Sequence, residues 1–157
     1  MRPIKTLVVH CSATPAGRDI GRREIDRWHR DKGWAGIGYH YVIRLNGTVE
    51  KGRQDSVAGA HVVNHNAYSI GICVVGGVGP NGRAQDTVTE QQHVALEQLL
   101  VRLRAEYPGT RICGHRDLSP DRNKDGRVTP DEWLKDCPSF DVAAWCRARG
   151  INPEGSA

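Results

Sequence analysis

Apolar and polar positions along the chain fall into runs of two different periods. Lys5 to His10 (KTLVVH) is a short β-branched run ended by CSATPAG, and SIGICVVGG from Ser69 is a continuous apolar run. Both predict buried strands. YHYVIRLNGTVEKGR alternates about an Asn46-Gly47 pair, which predicts a hairpin. On such a strand Tyr39 and His40 point to opposite faces. DIGRREIDRWHRDKG has helical spacing, with Ile25 and Trp28 on one face, Asp19 as the expected N-cap and Gly33 as the stop. Thr89 and Gln92 form a capping box that opens a helix through about Glu106, with Leu96, Leu99, Leu100 and Leu103 on one side. After Pro108-Gly109, TRICGH predicts the last strand, and Asp141 caps a final helix, VAAWCRARG. This alternation predicts an α/β fold: a single domain spanning 1–157, with a central mixed sheet flanked by helices.

Composition narrows the class. The 157 residues suffice for one domain with its own core. With 25% charged and 38% hydrophobic residues, the chain reads as a soluble globular protein, expected to be a monomer. The net charge of +4 fits an anionic partner in general terms. No Lys/Arg block interleaved with aromatics appears, which argues against nucleic acid as the partner. The N-terminal apolar run is too short for a signal peptide or a membrane span, so synthesis in the cytoplasm without membrane insertion is expected. Five cysteines, an odd number, point to reduced thiols with a metal ligand among them rather than a disulfide framework.

The chemistry concentrates between Cys113 and Asp141. His10 and His115 each close an apolar strand, and Cys137 follows on a loop before Pro138. Two imidazoles and one thiolate leave one tetrahedral position open, the pattern of a catalytic zinc site. The plainer alternative is that the histidines are polar strand edging and the cysteine a small hydrophobe. Between these ligands lies DRNKDGRVTPDE, which fits the calcium-loop pattern D-x-[DN]-x-[DN]-G-x5-E. Asp121, Asn123 and Asp125 supply side-chain oxygens, Arg127 its backbone carbonyl, Thr129 a direct or water-mediated contact, and Glu132 a bidentate carboxylate. An exiting helix is expected near Pro130. The alternative is a solvated polar insertion whose Arg122, Lys124 and Arg127 balance its acids.

Taken in order, VVHCSAT, the RRxxxxWHxxxGW run, GYHYVIRLNGTVEKGR, SIGICVVGG, GHRD and CPSFD resemble the zinc-dependent N-acetylmuramoyl-L-alanine amidases of the type 2 family. That family takes in phage endolysins and peptidoglycan-recognition proteins, and the likeness runs from about Ile4 to Trp145. It implies zinc ligands at His10, His115 and Cys137, catalytic roles for Tyr39 and Lys135, and substrate contact by His61. It also implies cleavage of the amide between N-acetylmuramic acid and L-alanine of the peptidoglycan stem. A phage or prophage endolysin acting on the wall after membrane breach is the simplest role. A non-catalytic peptidoglycan-binding module and an interbacterial amidase toxin are the alternatives, and polymerase binding, known in some phage relatives, stays open. Compact phage members have only a few residues between the second histidine and the cysteine, so the Asp121–Glu132 stretch is an insertion. Cys11 follows His10 on a strand and is expected to point away from the site, into the core with Cys73, Cys113 and Cys146.

Overall fold

A computed structural model describes residues 2–155. In chain order the elements are β1 (Thr6–Cys11), β2 (Thr14–Pro15), α1 (Arg22–Asp31), β3 (Tyr41–Ile43), β4 (Val49–Lys51), β5 (Ser69–Val74), β6 (Gly77–Val78), α2 (Glu90–Glu106), β7 (Arg111–Gly114) and α3 (Val142–Ala148). Single 3₁₀ turns occupy Asn66–Tyr68, His115–Leu118 and Pro130–Glu132. The main sheet has the order β4-β3-β5-β1-β7; β2 and β6 form a separate small pair. All neighbours in the main sheet are parallel except the β3–β4 hairpin, so the sheet is mixed as expected.

Strand alternation splits the interior into two layers. Leu7, Val9, Ile70, Ile72 and Ile112 face α2 and α3, whose Leu96, Leu100, Leu103 and Trp145 complete the larger core. Each of those three leucines is fully buried, worth about 1.5–3 kcal/mol relative to exposure. On the opposite face Val42 and Cys73 pack with Ile20, Ile25 and Ile37, under α1. Gln92 joins the layers at one end. Its Nε2 donates to the carbonyls of Ile43 (3.2 Å) and Val75 (2.9 Å), while its Oε1 accepts from Thr89 N in the capping box.

Helix α1 starts later than the sequence suggests. Gly21 is the N-cap, and Glu24 closes the turn on its backbone N–H at 2.8 Å. Asp19 instead accepts a hydrogen bond from Arg44 of the hairpin. The helix expected to leave the 121–132 loop is also reduced, to the single turn Pro130–Glu132. Among the described residues no helix is long and apolar enough to cross a membrane.

Candidate active site

The site is built where two parallel strands end side by side. Val9 of β1 pairs with Gly114 of β7, so the next residues, His10 and His115, leave adjacent strand ends. Leu7 and Val9 are committed to the larger core, so the period of two turns His10 onto the α1 face. Its imidazole centroid lies 4.7 Å from that of His115. Cys137 returns to the same point. Its carbonyl accepts from Arg116 N at 2.8 Å, and its Sγ accepts from Cys11 N at 3.1 Å. One ligand atom from each of His10, His115 and Cys137 lies within 4.8 Å of the others, so this group could hold a metal ion.

A cleft of about 310 Å³ opens over these three residues. Tyr39, His61 and Lys135 line it, so it gathers every residue the sequence proposed for the reaction. The same wall carries His29, Lys32 and Trp34, which sequence reasoning did not assign to the site. Cys11 sits next to the ligands in sequence and close to them in space. It alternates away from His10 and is buried as expected, its Sγ 3.9 Å from Ser139 Oγ, but the Cys137 loop folds against it and the residue also borders the cleft.

Burial sets the protonation of this cluster. Desolvation, then the neighbouring His61, His115 and Lys135 charges, holds the His10 imidazole neutral well below its ordinary range. His115 is pulled down to about 4, by burial first and then by Lys135. The positive charge of Lys135 therefore bears on both histidines. The Tyr39 phenol is pushed well above its usual value by burial and by the nearby cysteines. Cys137 is held as the thiol, first by its hydrogen bond to Cys11 and then by burial, and Cys11 is drawn down to about 7 by the same bond.

His61 is buried, and both its ring nitrogens are engaged within the protein. Nδ1 lies 2.8 Å from His10 Nε2, and Nε2 lies 3.2 Å from Ser69 Oγ. Little but the ring edge is left for the substrate contact expected of it. His40 and His29 are framework groups: His40 Nδ1 accepts from Gly71 N at 3.0 Å, and His29 Nδ1 accepts from Gly38 N at 2.8 Å.

A second cluster lies in the 121–132 loop, where oxygens of Asp121, Asp125 and Glu132 come within 4.8 Å of one another. Gly126 adopts φ +87°, with open space where a Cβ would stand, so the glycine serves the turn and not the packing. Asp121 Oδ2 accepts from Gly126 N at 2.8 Å, while Asp121 Oδ1 is buried without a hydrogen-bond partner among the described residues. Glu132 is 3% exposed and accepts from the backbone N–H groups of Arg122 and Thr129. Asn123 and Thr129 turn their side chains onto Asp125 and Glu132 respectively. Beyond the loop the Arg116 guanidinium lies 3.9 Å over the Trp133 ring, and Leu134 N donates to Ser119 Oγ at 3.2 Å. These contacts bind the loop's exit to the turn that carries His115.

Comparison with known proteins agrees with this architecture. The family model described as N-acetylmuramoyl-L-alanine amidase matches residues 1–131. The endolysin of Klebsiella phage KP32 is 42% identical over 139 residues, covering 88% of this chain and 83% of the relative. The endolysin of Escherichia phage T7 is 39% identical over 139 residues, with the same 88% and 83% coverage. Among solved structures, the N-acetylmuramoyl-L-alanine amidase LysC of Clostridium intestinale URNW superposes with a TM-score of 0.72 at 25% identity, covering 96% of this chain and 88% of that one. The family match stops inside the 121–132 loop, so the place of Lys135 and Cys137 in the site rests on geometry.

Proposed function

The chain belongs to the N-acetylmuramoyl-L-alanine amidase family, and from that premise we propose that His10, His115 and Cys137 hold a catalytic zinc ion beside Lys135 and Tyr39. The enzyme is a peptidoglycan amidase of the phage endolysin kind, hydrolysing the amide between N-acetylmuramic acid and L-alanine. The observation carrying the zinc reading is the donor set itself: two neutral imidazoles and one thiol meet at the floor of a cleft. That set suits a borderline-soft divalent ion and leaves a position free for water. Zinc there supplies a Lewis acid for the scissile carbonyl and lowers the pKa of its water toward neutrality.

The remaining chemistry falls to the side chains around the donors. Lys135 brings a fixed positive charge to the cleft, which stabilises the oxyanion that develops as the carbonyl becomes tetrahedral. Tyr39 keeps its phenolic proton because burial raises its pKa. It therefore acts as a hydrogen-bond donor that orients water or the oxyanion, not as a base. Digestion of purified peptidoglycan with mass analysis tests the reading. Stem peptides with free L-alanine amino termini, formed with zinc and lost on chelation, are expected; activity indifferent to chelation would overturn the metal's role.

The 121–132 loop carries the finer part of the proposal: a calcium site within a single catalytic unit spanning 1–157. Its motif positions, the left-handed Gly126 and the unpartnered Asp121 oxygen support it. Asp121, Asn123, Asp125 and Glu132 supply carboxylate and amide oxygens, Arg127 its carbonyl, and Thr129 a direct or water-mediated contact. Through Trp133 and Leu134, ordering the loop would steady Lys135 and Cys137 against the turn that holds His115. We assign the enzyme cytoplasmic synthesis, action on the wall after membrane breach, and a monomeric state. A calcium titration of the zinc-loaded protein tests the loop, and no heat of binding at millimolar calcium would remove it.

A further inference from the structure

We infer that His61 is a positioning residue, the middle member of a hydrogen-bonded relay that fixes His10 in the tautomer whose Nδ1 is free to bind the metal. The inference rests on the zinc reading for its consequence, but its geometry stands in the protein alone.

The direction of every proton in the relay follows from its far end. The His65 carbonyl can only accept, and it lies 2.7 Å from Ser69 Oγ. The single hydroxyl proton of Ser69 is therefore spent on that carbonyl. At 3.2 Å from Ser69 Oγ, His61 Nε2 must then be the donor. A neutral imidazole has one N–H, so His61 Nδ1 is bare and accepts. Its partner at 2.8 Å is His10 Nε2, which must carry the proton. His10 Nδ1 is then left with a lone pair. A metal-bound histidine commonly has its other ring nitrogen fixed by such a partner, which sets both the tautomer and the ring orientation.

Packing shows that the relay is built and not incidental. The His61 ring lies against Gly71 of β5, where a Cβ would stand 2.6 Å from its Cγ and 2.9 Å from its Nδ1. Gly59 backs the ring from another side, a Cβ there falling 2.5 Å from Cδ2. The ring is 8% exposed, and His10 is 1% exposed. Two glycines thus make room for one imidazole at the height that meets His10.

Leucine and asparagine match each other in size, but only asparagine offers an acceptor near the position of His61 Nδ1, so the pair separates hydrogen bonding from packing. Zinc affinity by chelator competition should fall about 10–100-fold in His61→Leu, and His61→Asn should recover most of the loss. Equal affinity in parent and His61→Leu would overturn the relay, as would equal loss in both variants with the fold intact by near-ultraviolet circular dichroism. A second measurement needs no variant. Long-range proton–nitrogen correlation spectra of the 17.3 kDa parent, with and without zinc, should show His10 and His61 both protonated at Nε2. His10 protonated at Nδ1 would refute the inference even if zinc binds. A parent that binds no zinc would overturn the metal reading, leaving the tautomer to be judged from the metal-free spectrum.

Discussion

Replacing Gly71 by alanine sets two effects against each other. Gly71 lies inside β5, paired with Val8, and its φ is not in the left-handed region, so alanine fits the backbone. Conformational entropy alone would make Gly71→Ala stabilising by about 0.5–1 kcal/mol. Space argues the other way. The new Cβ would stand 2.6 Å from His61 Cγ and 2.7 Å from Cδ2, whereas ordinary carbon contacts are about 3.5–4.0 Å. The ring must retreat by about 1 Å, and overpacking of this kind costs about 1–3 kcal/mol. At mid-range the overpacking term is the larger, so net destabilisation of about 1 kcal/mol is expected. At this chain length that lowers Tm by about 2–4 °C. The same retreat carries the His61 ring off the line of its 2.8 Å bond to His10, which weakens as alignment is lost. Zinc affinity should therefore fall about tenfold or more although no donor has changed. Calorimetric melting of metal-free protein and chelator competition of the loaded protein read the two effects separately. A variant that melts higher than the parent and binds zinc equally well would refute the packing argument.

Other expectations can be checked alongside. Lys135→Ala should lower turnover about 100-fold or more, on the scale of one lost oxyanion donor, with zinc content unchanged; full turnover would return Lys135 to a surface role. Metal binding needs Cys137 as thiolate; in the metal-free pair Cys11 ionises first, at about 7, so above that pH the Cys137 proton passes to the Cys11 thiolate on binding. Below that pH, binding should release one proton and affinity should fall about tenfold per unit, flattening above it. A slope that continues unchanged to pH 9 in calorimetric titrations would contradict this. His40 and His61 are depressed from 6.5 to about 4 and about 3 by burial. Their contribution to metal-free stability is present above pH 6.5 and should be lost as pH falls toward those values; denaturant midpoints flat from pH 7 to 4 would count against it. Calcium at a hundred times its dissociation constant should raise stability by about 2.7 kcal/mol, or Tm by about 5–10 °C. Glu132→Ala should abolish that shift, and a shift that survives it would place any calcium elsewhere.

Much of this site can be traced to local sequence signals. The Thr89/Gln92 box opens α2 as its spacing requires, and Asn46-Gly47 closes the β3–β4 hairpin. Histidines at the ends of two apolar runs foretold a site, but only the strand order makes those runs neighbours. Asp19 is not the cap because Glu24 and Glu50 accept from the N–H groups of Gly21 and Arg22, leaving Asp19 to Arg44. Cys11 is buried as alternation requires, but alternation says nothing of the Cys137–Ser139 loop that packs against it. His61 drew no spacing argument, yet one signal was present: an isolated glycine within the strand SIGIC marks a close approach. The proton order of the relay depends on Ser69 and the His65 carbonyl, a contact no period encodes.

Anomalous scattering at the zinc edge from crystals of the zinc-loaded enzyme would show whether His10, His115 and Cys137 hold the metal. One strong peak is expected about 2.3 Å from Cys137 Sγ and about 2.0–2.1 Å from a nitrogen each of His10 and His115, with Nδ1 as the nitrogen of His10. A peak bound elsewhere, or stoichiometric zinc that does not touch Cys137, would contradict this assignment.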